Sequence, residues 1–192
     1  MTAAALPRRP SMPAAWWGML ILIASESMLF GCFIATYFYL RFKTVAWPPA
    51  GIAPPPLATT LVLTACLAAT SAPMLLASRA VQAGRLASAR LMLVAALVVQ
   101  CGYLGYEIHE YADELSRTPI SRDAYTSIYY TLVGADHAHV VLGVLFNLWL
   151  LAKLATGITR YRRNAAIGIS WYWHFVNALT IVVAGTVLSA HA

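Results

Sequence analysis

Residues 14–40 read AAWWGMLILIASESMLFGCFIATYFYL, and the only charged side chain in this stretch is that of Glu26. A helix of about 20 apolar residues crosses the hydrocarbon core of a bilayer. The stretch exceeds that length, and it is also longer than the roughly 7–15 apolar residues of a cleavable signal peptide. We therefore interpret residues 14–40 as a permanent membrane span.

Four further apolar runs follow the first one. Of the 192 residues, 60% are hydrophobic and only 10% are charged, whereas a soluble domain has about 25% charged residues. The runs predict an all-α polytopic membrane protein, a bundle of five transmembrane helices that forms one domain over residues 14–192. The third run is the weakest by length. The predicted spans cover about 14–40, 57–79, 90–111, 124–154 and 167–190.

Basic residues cluster at alternate ends of these runs. The net charge of +6 is therefore a topology signal and not the mark of a nucleic-acid-binding face, so no nucleic-acid partner is expected. Cytoplasmic loops are rich in Lys and Arg, which predicts a short cytoplasmic segment at residues 1–13 and a C-terminus outside. The clusters are Arg8 and Arg9, then Arg79, Arg85 and Arg90, then Arg160, Arg162 and Arg163.

Proline marks two irregular regions. The loop WPPAGIAPPP at residues 47–56 contains five prolines, and neither flanking helix can continue through it. Pro73 predicts a kink in the second span, since membrane helices tolerate proline where neighbouring groups satisfy the freed carbonyl. The connection at residues 110–127 is predicted to be the longest, with Thr126 or Ser127 capping the fourth span.

Glu26 is the first candidate for a functional residue. It lies ten residues beyond Trp16, which is about 15 Å along a helix and near the bilayer midplane. A charge at that depth costs about 3 kcal/mol, so we expect Glu26 to face the bundle interior. Two interpretations stay open: a proton-relay or lipid-contact group, or a neutral carboxylic acid hydrogen-bonded to a buried polar side chain.

The fourth span contains the sequence VGADHAHVVLG at residues 133–143. His137 and His139 are two residues apart, about 200° around a helix, so they cannot bind one metal ion from one face. Asp136 and His139 are three residues apart and share a face. An Asp–His pair would let each side chain offset the burial of the other. We expect no metal site here.

The remaining histidines and cysteines do not suggest a redox centre. A haem needs axial ligands on facing helices, but His109 is expected near the outer end of its span and His174 near the inner end of the last span. We interpret His174 as a hydrogen-bonded interior histidine. Cys32, Cys66 and Cys101 occur singly in three spans and are interpreted as packing residues. No phosphate-binding or nucleophile motif is present, so we expect no catalytic centre and no cofactor in this chain.

Five segments, in this order, resemble subunit III of the haem–copper cytochrome c oxidases. Singly each motif is weak, but their order along nearly the whole chain from about Trp16 is specific. The segments are the first span with its glutamate at Glu26, WPPAGI at residues 47–52, the Glu110–Tyr111 pair, HVVLG at residues 139–143 and WYWHFV at residues 171–176.

This sequence also departs from the family pattern. The longer family members have seven helices, and the five spans here correspond to their last five, as in many bacterial members. Asp136 stands in the place of the first histidine of the fourth-span motif, His137 in the place of the following glycine, and Asn177 in the place of an aspartate. These changes fall in the region where the family has conserved polar groups.

The resemblance implies a non-catalytic subunit in a bacterial inner membrane. Such a subunit packs on catalytic subunit I, assembles with subunit II and other subunits, binds phospholipid between its helices, and supports proton uptake and turnover stability during oxygen reduction. The haem and copper would belong to partner subunits. A buried polar or lipid-cleft network is expected from Glu26, Glu110, Asp136, His139 and His174.

Three alternatives stay open at this point. An accessory subunit of a nitric oxide reductase would share the architecture, because such subunits belong to the same superfamily. A small proton-coupled transporter would use Glu26, Asp136 and His139 along a path, although an odd number of spans without an inverted repeat disfavours it. A membrane cytochrome or quinone enzyme would contain its own haem.

Overall fold

The computed structural model describes residues 14–191 and shows an α-helical bundle. Two of its helices lie end to end in one span, so this part of the chain has five helical segments long and apolar enough to cross a membrane. The predicted five-span, all-α fold is confirmed. Arg8 and Arg9 lie outside the described residues, and the orientation of the termini stays a prediction. The helices are α1 (Ala14–Lys43), α2 (Leu57–Ala69), α3 (Ser71–Gln82), α4 (Leu86–Arg117), α5 (Ala124–Leu154) and α6 (Arg160–Leu188), followed by a 3-10 turn (Ser189–His191).

The second span is interrupted at Thr70, between α2 and α3. Pro73 has no backbone N–H, so it cannot donate to the carbonyl one turn earlier. The Thr70 hydroxyl donates to the Leu67 carbonyl and accepts a hydrogen bond of 2.8 Å from Trp173 Nε1. A kink was predicted at Pro73; the structure shows an interruption three residues earlier, at Thr70, and the hydrogen bond from Trp173 ties Thr70 to α6.

The third span is longer than its apolar run. α4 has 32 residues and continues through the charged segment to Arg117, where Arg117 and Asp113 form an ion pair of 2.7 Å one turn apart. Such pairs support a helix in water beyond the membrane. The expectation of a weak third span followed by the longest loop is therefore wrong. The connection to α5 is only residues 118–123, and the proline-rich loop at residues 44–56 is longer.

The start of α5 is capped by Asp123. Asp123 Oδ1 accepts a hydrogen bond of 2.8 Å from the Thr126 N–H, and the Thr126 hydroxyl accepts one of 3.2 Å from the Asp123 N–H. This reciprocal arrangement is a capping box. The prediction of Thr126 or Ser127 as the cap is wrong, because the helix begins at Ala124 and its N-cap is Asp123.

α5 and α6 form the centre of the bundle. α1 packs against them on one side, while α4 packs on α5 and the α2–α3 span packs on α4 and α6. α5 and α6 approach closely at Gly143 of α5, where an added Cβ would lie 2.6 Å from the ring of Trp173 on α6. α1 is the least buried span, with 6% of its most apolar window buried against 50% for α6. α1 therefore depends on a small number of interior contacts.

Candidate functional site

Glu26 of α1 is hydrogen-bonded to His139 of α5. Glu26 Oε2 lies 3.1 Å from His139 Nε2, and the other ring nitrogen, Nδ1, lies 2.7 Å from the carbonyl oxygen of Ala135. A carbonyl oxygen only accepts, so Nδ1 carries a hydrogen. The contact between Oε2 and Nε2 therefore holds one proton, either on a neutral glutamic acid that donates to a neutral imidazole or on an imidazolium that donates to a carboxylate.

Both forms of this pair have no net charge, which reduces the cost of burying it. The two side chains are only 15% (His139) and 23% (Glu26) exposed. The ring of Phe30, itself 1% exposed, meets the imidazole edge to face at 5.1 Å. Of the two interpretations of Glu26, this contact provides the buried polar partner that the second one requires.

A second pair joins α5 to α4. Glu107 Oε2 lies 3.1 Å from His137 Nε2, with the two side chains 21% and 10% exposed. The ring of Tyr111 packs edge to face against the imidazole at 5.6 Å. The two histidines thus point to different helices, as their two-residue spacing requires. Sequence reasoning missed Glu107, although its place in the third span, three residues before Glu110, was an available signal.

Asp136 directly precedes His137 along α5 and contacts α6. It is 3% exposed and accepts a hydrogen bond of 3.0 Å from the Thr180 hydroxyl. The predicted Asp136–His139 pair is wrong, because each side chain is bonded to another helix. Two residues three positions apart on a helix still point about 60° away from each other. Here Asp136 points toward α6 and His139 points toward α1.

The other predicted network members lie elsewhere. Glu110 is exposed on α4, and its side chain has no hydrogen-bond partner within residues 14–191. His174 Nε2 lies 3.4 Å from the Ser170 hydroxyl on its own helix. The structure therefore brings together only Glu26 and His139 from the predicted set of five. Asn177 donates a hydrogen bond of 2.6 Å to Ser71 and links α6 to α3.

The polar groups form pairs and not a metal centre. In the part of the chain that the structure describes, no three His, Cys, Asp or Glu side chains are grouped so that they could hold a metal ion. Cys32, Cys66 and Cys101 are free and exposed on three different helices. The arrangement can hold and exchange protons and can tie helices together.

Comparison with known proteins identifies the family. Residues 11–187 match the family model of cytochrome c oxidase subunit III. The chain belongs to this family. The probable cytochrome c oxidase subunit 3 of Nocardia farcinica is 31% identical to this chain over 186 residues, which cover 93% of this chain and 88% of that protein.

Two further relatives are named as subunits of different oxidases. Cytochrome c oxidase subunit 3 of Bacillus subtilis is 29% identical over 174 residues, covering 86% of this chain and 81% of that protein. Cytochrome bo(3) ubiquinol oxidase subunit 3 of Pseudomonas aeruginosa is 30% identical over 169 residues, covering 87% and 80%. The resemblance to subunit III, expected from five motifs, is confirmed.

Two of the subunit III motifs have structural roles here. The ring of Trp47, from the proline-rich loop, packs against Tyr37 of α1 at 5.2 Å and Tyr125 of α5 at 4.9 Å. Trp173, from the last-span motif, fills the space that Gly143 leaves on α5. These residues set the packing of α1, α5 and α6, and thereby the positions of the polar pairs.

Proposed function

We propose that this chain is the non-catalytic subunit III of a haem–copper terminal oxidase in a bacterial inner membrane. The observation that carries the proposal is the family match over residues 11–187, together with the multi-pass helical fold. The relatives named above are subunits of cytochrome c and ubiquinol oxidases. In such a complex the haem and copper would be held by partner subunits, with subunit I as the main contact and subunit II also present.

The outer surface of the bundle supports contacts with phospholipid and with subunit I. α1 exposes large apolar side chains along most of its length, among them Ile21 at 67% and Met28 at 74%. Such a surface is stable only when lipid or another apolar helix covers it. We propose that both cover the bundle in the complex, which would support turnover stability.

The Glu26–His139 pair would contribute in two ways. It is a polar contact between α1 and the rest of the bundle, and it holds one exchangeable proton at a depth where no bulk water is present. Protonatable groups at this depth commonly belong to proton pathways. We propose that the pair both positions α1 and supports proton uptake by the assembled oxidase.

Purification of the tagged chain tests the proposal. The C-terminus is tagged, the membranes are extracted in a mild detergent, and the optical spectrum and the co-purifying chains are recorded. Haem bands that arrive with a large multi-span partner, and that leave when this partner is stripped away, are expected. A colourless chain that purifies alone would contradict the proposal and favour a transporter.

The same preparation identifies the electron donor. Oxygen consumption is measured with reduced cytochrome c and, separately, with ubiquinol, because relatives of both types are known. Activity with one donor assigns the oxidase type. Reduction of nitric oxide without oxygen consumption would instead assign the chain to a nitric oxide reductase.

A further inference from the structure

Three adjoining cavities run into the bundle from the end where α4 meets α5. The outermost has a volume of about 160 Å³, and its lining includes Glu114, Arg117 and Tyr125. The middle cavity, of about 70 Å³, has Glu107, Glu114 and His137 in its wall. The innermost, also about 70 Å³, is lined by Glu107, His137 and Asp136.

The cavities adjoin one another, because the same residues line neighbouring cavities. Pro55, Glu114 and Tyr129 line both the outer and the middle cavity, while Thr60, Glu107 and His137 line both the middle and the inner one. A cavity needs only about 10–15 Å³ and two or more polar partners to hold a water molecule. Each of the three is large and polar enough for several. We call the three cavities together the polar channel.

Ionisable side chains line the channel along its length. The Tyr129 hydroxyl donates a hydrogen bond of 3.3 Å to Glu114 near the mouth. Glu107 and His137 are paired in the middle at 3.1 Å, and Asp136 lies at the inner end. From Tyr125 to Asp136 the channel follows eleven residues of α5, a distance of about 16 Å. It therefore reaches roughly halfway across the membrane.

Apolar side chains lie beyond the inner end of the channel. Beyond Asp136 the bundle contains the fully buried side chains of Val140, Trp173 and Val176. Neither Glu26 nor His139 lines any of the three cavities. The channel is therefore separate from the Glu26–His139 pair. His137 also lines a fourth cavity, which extends to Ile120 at the same end of the bundle.

The charges around Asp136 favour a bound proton. α4 contributes Tyr103 and Glu107, and α5 contributes His137 on the channel side. α2 and α6 contribute threonine hydroxyls to the inner cavity, while His139, bonded to Glu26 of α1, lies on the same helix one turn away. Even with His137 protonated, two ionised carboxylates would leave a net negative charge in a medium where an unpaired charge is costly. A proton bound to one of the two carboxylates removes this net charge.

We propose that the polar channel admits water and lets the cluster of Glu107, His137 and Asp136 exchange protons with the aqueous phase at the α4–α5 end of the bundle alone. The charge-predicted topology places this end outside. The channel is a one-sided proton store within this chain, and the inference does not depend on which oxidase the chain serves.

Cysteine accessibility tests for water in the channel. Cys32, Cys66 and Cys101 are first changed to serine, and Thr64→Cys or Val62→Cys is then introduced. Thr64 lines the inner cavity, whereas Val62 is closer to the start of α2 and 60% exposed on the lipid side. Both variants are compared in sealed membrane vesicles, and assembly is checked by the yield of the purified complex.

The reagent is the silver ion, a membrane-impermeant cation that is small enough for cavities holding a few water molecules and that reacts with thiolates. Because thiolates form in water and not in apolar surroundings, we expect Thr64→Cys to react at least about tenfold faster than Val62→Cys. The faster reaction should occur from the α4–α5 side only, although Thr64 is the deeper position. Equal rates, a faster reaction of Val62→Cys, or equal labelling from both sides would overturn the proposal.

Infrared spectroscopy tests for the proton. The pH-induced difference spectrum of the purified complex should contain the carbonyl band of a protonated carboxylic acid that Asp136→Asn or Glu107→Gln removes. The amide oxygen introduced by Asp136→Asn can still accept a hydrogen bond from Thr180, so the fold is expected to persist. Asp113→Asn is the control: it is a change of the same kind on α4, at a side chain that is 41% exposed and lines none of the three cavities, and it should leave the band in place. A spectrum that neither Asp136→Asn nor Glu107→Gln alters would overturn the proposal.

Discussion

The two glutamate–histidine pairs have the same chemistry and the same length, yet they lie in different surroundings. In each, a carboxylate oxygen lies 3.1 Å from the Nε2 atom of a histidine on α5. The Glu26–His139 pair is packed against Phe30 and lines none of the three cavities of the polar channel. The Glu107–His137 pair lines two of them. The neighbouring helices, and not the pair itself, determine whether its proton can reach water.

The helices that the pairs connect differ as well. α4 packs along α5 and along the α2–α3 span, so Glu107 is one contact among many. α1 packs on α5 and α6 alone among the helices of residues 14–191, and it is the least buried span. The Glu26–His139 contact therefore contributes a larger share of the contacts that hold its helix than the Glu107–His137 contact does.

The largest effect is expected from Glu26→Ala. Removing the carboxyl leaves His139 Nε2 without its partner, and we expect the free energy of unfolding to fall by about 1–3 kcal/mol. Glu107→Ala should cost less, because water in the channel can replace the lost partner. The unfolding midpoints of both variants in an SDS titration of the purified complex measure the difference. Equal losses of stability in the two variants would mean that the two pairs contribute equally to the fold.

The loss of each pair should also loosen a different part of the bundle. In Glu26→Ala, amide hydrogen exchange should rise mainly in α1, because that helix loses one of its few interior contacts. In Glu107→Ala, exchange should rise little, and only near the polar channel. Mass spectrometry of the exchanged complex distinguishes these patterns. An increase spread evenly over all helices would contradict the separate roles.

A smaller effect is expected from Glu26→Gln. The amide can donate to His139 Nε2 while Nδ1 keeps its hydrogen, so the hydrogen bond persists without an exchangeable acid proton. We expect the complex to assemble in normal yield, with a loss of stability below about 1 kcal/mol. The yield and the SDS midpoint check this, and a loss as large as that of Glu26→Ala would mean that the acid itself is structural.

Chemical labelling compares the pairs without mutation. A hydrophobic carbodiimide, which partitions into lipid, should modify Glu26. A water-soluble carbodiimide with an added amine should modify Glu107 and not Glu26, because only Glu107 lines the channel. Mass spectrometry locates the modified residue. If both reagents labelled only the acids in the loops, the result would contradict the membrane depth of Glu26 and the access of water to Glu107.

The smallest effect is expected from Glu110→Ala. Glu110 lies one turn from Glu107 but is exposed, so its removal should change the free energy of unfolding by less than about 0.5 kcal/mol. The SDS midpoint again provides the measurement. A larger loss would mean that Glu110 belongs to the polar network after all.

Sequence reasoning succeeded where the information is local. Long apolar runs predict spans because side chains that face lipid must be apolar and each backbone group must be bonded within its own helix. Pro73 predicts a kink for an equally local reason. The missed extension of α4 has a different cause, since the charged end of a membrane helix and a charged loop have the same composition until the ion pair at Asp113 and Arg117 is seen.

The sequence by itself determined that this is a membrane bundle, that His137 and His139 point in different directions, and that Glu26 should face the bundle interior. Only the tertiary structure decided the partners: His139 for Glu26, Glu107 for His137, and Thr180 for Asp136. Spacing along one helix defines angles around that helix, but it does not say which neighbour lies at each angle. Packing of the bulky residues, such as Trp173 against Gly143, places the neighbours and thereby decides which buried charge meets which partner.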